Sequence, residues 1–206
     1  MAANYDNTTW FYERLSKLVF GQAQMSAQEY FLKLIEPQSN ILIIGGGTGE
    51  ILERLTRLHP AGLQITYIEI SANMLALSRK RNTAQNEVRF IEADIQHYSL
   101  DRSFDVVITA FLFDNFSEQD LSYAFSKIHQ HLKPRGLWLN TDFQLTGPLW
   151  QRLMLTTMYV FFKIWSAVEV RQLPDVKACF KRYEYEEIDK KTFYGKFILS
   201  SVYKRF

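Results

Sequence analysis

Four of the five residues at 45–49 are glycine, in the run ILIIGGGTGE, and two acids, Glu69 and Asp94, follow downstream at similar intervals. Backbone without side chains can turn tightly and let a ligand approach its amides. A helix starting at Glu50 would aim free N–H groups at the same ligand. Spacing narrows the ligand class. A phosphate loop needs Gly-Lys followed by Ser or Thr, and no lysine lies between Lys33 and Lys80. The dinucleotide fingerprint G-x-G-x-x-G fails in both frames, because residue 50 is Glu and residue 52 is Leu. What remains is G-x-G-x-G. Glu69, in ITYIEIS, sits at a strand tip where its carboxylate can accept from both hydroxyls of a ribose. Asp94, in VRFIEADIQ, can accept from the amino group of an adenine. Two more acids, Asp114 and Asp142, follow later strands and are candidates to remove a proton near a reacting centre. His59, His97, His129 and His131 read as surface residues. Cys179 has no second cysteine with which to form a disulfide or a Cys/His metal site, so no metal is expected.

These residues need a scaffold, and hydrophobic periodicity supplies one. Strands are expected at 40–44, 64–68, 88–92, 104–109 and, in LWLNT, 137–141. Between them lie a helix over 50–58 with Ile51, Leu55 and Leu58 on one face, and a second over SANMLALSRKRN with Ser71 as N-cap. A third, in SEQDLSYAFSKIHQHL, opens with Ser117 and Asp120 in capping-box spacing and carries Leu121, Phe125, Ile128 and Leu132 on one face. The turn KPRG ends it. Alternating strands and helices predict a parallel sheet with helices on both faces, because parallel neighbours need crossovers. The tail reads as two strands around DKKT, an antiparallel hairpin at one sheet edge. Ahead of residue 40, two helices broken near Gly21 are placed to cover one end.

With 206 residues, 47% of them hydrophobic, one domain is the simplest organisation. Its parts are a helical cap over 1–38, a binding core over 39–143, and a substrate-side helix with the hairpin over 144–206. A net charge of +2 gives no field to steer a polyanion, so nucleic acid is not an expected partner. The N-terminus lacks a cationic start followed by an apolar run, and a cytoplasmic setting is expected. In residues 149–168 the longest uncharged run, 153–162, falls short of the ~20 apolar residues of a spanning helix. Trp150, Leu153, Met154, Met158, Phe161, Phe162 and Trp165 recur there at helical spacing, as in an amphipathic helix packed on the core; a greasy pocket lining or a membrane-surface contact are the other readings.

The runs ILIIGGGTGE, ITYIEISANMLALSRKR, VRFIEADI, FDVVITAFLFDNFS and IHQHLKPRGLWLNTDF resemble, in order, the successive motifs of class I S-adenosylmethionine-dependent methyltransferases. The resemblance covers about residues 38–143. It implies an α/β, Rossmann-like three-layer sandwich whose seven-stranded sheet has its last strand antiparallel, with S-adenosyl-L-methionine across the carboxyl ends and S-adenosyl-L-homocysteine as product. Carried over by position, Gly45, Gly46, Gly47, Thr48 and Gly49 would pass the methionine portion, and Glu69 and Ile70 would meet the ribose. Asp94 and the backbone of Ile95 would meet the adenine; Ala110 and Phe111 would lie near the methionine end. The departure is Ile43, where most relatives carry an acid, which leaves the usual anchoring near the cofactor's amino group without its side chain. NYDNTTWFYERL is similar to the corresponding stretch of small-molecule enzymes that alkylate quinone precursors or lipid head groups, making Tyr5, Trp10 and Tyr12 lid candidates. Methyl transfer from a sulfonium is an in-line displacement for which a base is optional, and the expected acceptor is small and apolar or aromatic. A catalytically silent binding protein and an NAD-linked oxidoreductase remain alternatives at this point.

Overall fold

The structure, a computed structural model, describes residues 18–166 and 172–206, the side chains of 161–166 excepted. The lid candidates Tyr5, Trp10 and Tyr12, and the side chains of Phe161, Phe162 and Trp165, lie outside the described residues. Seven strands form one sheet: β1 Asn40–Ile44, β2 Ala61–Glu69, β3 Gln85–Glu92, β4 Phe104–Ala110, β5 Leu132–Phe143, β6 Glu186–Phe193 and β7 Ile198–Lys204. Their order is β3-β2-β1-β4-β5-β7-β6. The first five run parallel, and β7 is antiparallel to both β5 and β6. Strand order reverses between β1 and β4, which opens a crevice beyond their carboxyl ends.

The central strands are buried on both faces, so they carry continuous apolar runs, residues 41–44 in β1 and 106–108 in β4, rather than strict alternation with polar residues. In β1, Leu42 and Ile44 enter one core with Val107, Phe125, Trp138 and Phe180. Ile41 and Ile43 enter the other with Ile51, Leu55, Tyr67 and Ile108. Helix α1 Ala23–Glu29 precedes the sheet, α2 Glu50–Leu58 follows β1, and α3 Ala72–Ser78 follows β2. The Ser71 hydroxyl accepts from the Met74 amide as the expected N-cap of α3. Helix α4 Glu118–His131 begins at Ser117, whose hydroxyl accepts from the Asp120 amide and donates to its carboxylate. Helices α5 Leu149–Ser166 and α6 Val176–Arg182 come between β5 and β6. Residues 93–103 connect β3 to β4 without a helix, through a turn in which the His97 and Tyr98 amides donate to the Asp94 carbonyl. No helix among the described residues is long and apolar enough to cross a membrane.

Several expectations need correction. The hairpin turns at residues 194–197, around Gly195 with φ of 57°, and DKKT belongs to β6. β6 is an edge strand exposed along almost its whole length, where charged side chains are well solvated and discourage pairing with another edge. KPRG lies within the span of β5 as an irregularity: pairing jumps from Phe104–Leu132 to Val106–Leu137, with Arg135 at φ of 64°. Leu58, at the last turn of α2, is 47% exposed, three residues before the chain re-enters the sheet at Ala61. The buried side of α5 is also displaced. Gln151 and Leu155 are buried, Met154 and Met158 half-buried, whereas Leu153 is 70% exposed. Gln151 tolerates burial because its amide bonds Thr146 and the Gly195 carbonyl.

Candidate functional site

The glycine turn follows β1 directly. Gly45, Gly47 and Gly49 have φ of 67°, 61° and 82°, the left-handed region that glycine enters without strain. Three anchors fix the turn. The Gly45 amide donates to the Ile68 carbonyl at 2.9 Å, and the Gly47 amide to Glu69 Oε2 at 3.0 Å. The Tyr67 hydroxyl donates to the Gly47 carbonyl at 3.0 Å. From outside, Arg81 Nε donates to the Thr48 carbonyl at 2.9 Å, while its guanidinium pairs with Glu53.

Two of the glycines answer to the protein itself. A Cβ on Gly46 would stand 2.4 Å from the Tyr67 ring, and one on Gly49 would stand 2.9 Å from Ser78 Cα. Gly49 therefore permits close approach of α2 to α3 and does not line the groove. At Gly47 the space is open: a Cβ would meet only Met74 Sδ, at 3.9 Å.

A groove runs from this turn along the carboxyl ends of β2, β3 and β4. Gly45, Gly46, Gly47, Thr48, Glu69, Ile70, Asp94, Ile95, Ala110, Phe111 and Asp114 all line it. Glu69 is buried, its second oxygen accepting from the Ser71 amide at 3.0 Å. Since a carboxylate oxygen can accept more than one hydrogen bond, this geometry is compatible with a ribose diol at the same group. Asp94 caps its own turn, accepting from the Gln96 amide at 2.9 Å and meeting His97 Nδ1 at 3.1 Å. Phe111 has φ of 52°, unusual for an aromatic residue, and is held by its amide on the Thr141 carbonyl. Four acidic residues line the groove, Glu50, Glu69 and Asp94 along the turn and strand ends and Asp114 at the far end, and no lysine, arginine or histidine does so among the described residues. Such a lining suits a ligand with positive charge.

At the far end, beside Phe111, Phe116, Phe143 and Met158, lie the two later acids. Asp114 faces the groove; Asp142 is buried behind the lining, at the end of β5. Asp142 Oδ1 accepts from the Phe143 amide at 2.9 Å, and Oδ2 has no hydrogen-bond partner among the described residues. Asp114 bonds the Asn115 side-chain amide. Burial pushes the Asp142 carboxyl up to about 7. Burial, and then the neighbouring Asp142 charge, raises Asp114 well above the carboxylate range. Burial and both acids also raise the Tyr159 phenol. Two carboxyls so placed resist double ionisation and tend to share a proton.

Sequence reasoning passed over Tyr67 and Arg81, which hold the turn, and Gln24, Met25 and Gln28 of α1, which line the groove opposite it. Tyr67 had a readable signal: a phenol in a buried strand needs a polar partner. The histidines are less superficial than expected. His97 is exposed, whereas His129 Nδ1 meets the Tyr185 hydroxyl at 3.0 Å in a half-buried setting and His59 Nε2 is buried.

Residues 41–136 match the family described as methyltransferase domain. A malonyl-[acyl-carrier protein] O-methyltransferase of Bacillus cytotoxicus is 36% identical over 103 residues, 50% of this chain and 35% of that protein. A ubiquinone/menaquinone biosynthesis C-methyltransferase of Rhodopseudomonas palustris is 27% identical over 141 residues, 64% of this chain and 55% of that protein. The chain thus spans between about a third and just over half of the length of these curated relatives. Among solved structures, the N-methyltransferase NodS of Bradyrhizobium japonicum WM9, in complex with S-adenosyl-L-homocysteine, matches with a TM-score of 0.69 at 15% identity, over 97% of this chain and 99% of that one. Human N-acetylserotonin methyltransferase, in complex with SAM, gives 0.66 at 18% identity, over 95% and 55%. At these identities the structural likeness is one of fold.

Proposed function

We propose that the chain is a class I S-adenosylmethionine-dependent methyltransferase whose groove binds S-adenosyl-L-methionine and directs methyl transfer to a small apolar or aromatic acceptor. The observation that carries this reading is the groove's charge: the carboxylates of Glu50, Glu69 and Asp94 lie beside an open glycine turn, with no cation among the described lining residues. S-adenosylmethionine combines a sulfonium and an ammonium with one carboxylate and so arrives with net positive charge. A nicotinamide dinucleotide brings a pyrophosphate, which the same carboxylates repel.

In this reading the turn at Gly45, Gly46, Gly47 and Thr48 borders the methionine portion, Glu69 and Ile70 the ribose, and Asp94 and the Ile95 backbone the adenine. Ala110 and Phe111 border the methionine end. When bound, the cofactor supplies an activated methyl on sulfur, so the protein's task is alignment and exclusion of water. Phe111, Phe116, Phe143 and Met158 form an apolar wall at the acceptor end. Asp114 and Asp142 are the acceptor-side proton holders: Asp114 meets the groove, and the buried pair can take up one proton from a hydroxyl, amine or acidic carbon as the methyl arrives. Thermal shift tests the cofactor assignment. S-adenosylhomocysteine should raise the melting temperature and NAD should not; the reverse pattern would remove the reading. A labelled-methyl assay against quinols, phenols and lipids then addresses the acceptor.

A further inference from the structure

Position 43 carries isoleucine, buried and paired in register with Tyr67. The underside of the turn therefore takes its polar support from the neighbouring strand. We propose that Tyr67 is the positioning residue of the methionine-side turn, holding it from β2; this rests on the functional reading above.

Three observations carry it. The Tyr67 side chain is fully buried, yet its hydroxyl donates to the Gly47 carbonyl while Glu69, two residues on, takes the Gly47 amide. One residue of the turn is thus gripped at both polar atoms of its backbone by one strand. Burial, and then the Glu69 charge, raises the phenol well above the ordinary tyrosine range, so the hydroxyl keeps its proton and stays a donor to the turn. Finally, the space above the ring exists only because residue 46 has no side chain, since a Cβ there would overlap the ring at 2.4 Å. Gly46 and Tyr67 are complementary in shape: the missing side chain at residue 46 makes room for the Tyr67 ring, while the Gly46 backbone lines the groove.

The grip falls at the Gly47 end and not at the adenine end, where Asp94 and Ile95 depend on other contacts. Tyr67 should therefore govern affinity for the amino-acid portion of the cofactor and leave the nucleoside portion alone. Tyr67→Phe removes the hydroxyl while keeping the ring in its core, and binding to the purified full chain is measured with two probes. S-adenosylhomocysteine has the amino-acid portion; 5′-methylthioadenosine lacks it. The expected result is a rise of about tenfold in Kd for the first, the scale of one buried hydrogen bond, and less than twofold for the second. Amide exchange at Gly47 and Gly49 should quicken in the same variant without ligand. Equal weakening of both probes, or unchanged affinity for S-adenosylhomocysteine, overturns the proposal, as does unchanged exchange. If the unsubstituted protein binds neither probe, the functional reading falls first and this proposal with it.

Discussion

Replacing Asp142 with asparagine should stabilise the protein at neutral pH. In the native chain the Asp142 carboxyl is buried, one oxygen has no hydrogen-bond partner among the described residues, and its pKa stands at about 7 against 3.8 for the free group. The sign follows from proton counting. Below about 4 both folded and unfolded chains hold this proton, and pH has no effect through it. Between about 4 and 7 the folded chain keeps a proton that the unfolded chain releases, so raising the pH costs stability; above 7 the cost is constant. At about 1.36 kcal/mol per pH unit the full cost is roughly 4 kcal/mol, of which about 3 kcal/mol accrues between pH 5 and 8. Asparagine keeps an acceptor for the Phe143 amide and removes the buried ionisable group. Urea unfolding of both proteins from pH 5 to 8 reads the effect: the variant's advantage should grow with pH across that window. An advantage that is flat or shrinks with rising pH would refute the account of a carboxyl held protonated by burial.

Other outcomes follow from the packing. Gly46→Ala places a methyl against the Tyr67 ring, so stability should fall by about 1–3 kcal/mol in chemical denaturation, with weaker S-adenosylhomocysteine binding in the same samples. On α5, Leu155→Ala should cost about 2–5 kcal/mol because Leu155 is buried, whereas Leu153→Ala on the exposed side should stay within about 0.5 kcal/mol. Equal losses at the two positions would mean that the helix is turned differently. Gly49→Ala should lower the melting temperature through collision with the Ser78 backbone, since φ of 82° and a 2.9 Å approach leave no room for relaxation.

Much of the scaffold was legible because its strands are short, apolar and bounded by glycine or polar residues. Asn40–Ile44 and Glu50–Leu58 lie where periodicity puts them, and Ser71 and Ser117 cap the helices they were expected to cap. Readings went astray where a local rule met a tertiary exception. DKKT has the composition of a turn, but on a solvated edge strand charge is no obstacle to pairing, and the turn signal was Gly195. Gln151 looks like a surface residue until its hydrogen bonds to Thr146 and Gly195 are known, and ranking by hydropathy alone therefore rotated the face of α5. The groove's glycines and acids could be found from spacing, but not the closeness of Asp114 and Asp142. They lie 28 residues apart and meet only because β4 and β5 are parallel neighbours ending at the same level. Nor does the sequence tell which glycines face a ligand and which face Tyr67 or Ser78.

Calorimetric titration of the full chain with S-adenosylhomocysteine, beside Glu69→Ala, bears most directly on the cofactor assignment. Glu69 ties the Gly47 and Ser71 amides together at the edge of the groove. The account predicts saturable one-to-one binding to the native protein and a loss of at least tenfold in affinity in the variant. No heat from the native protein, or equal affinities for the two, would contradict it.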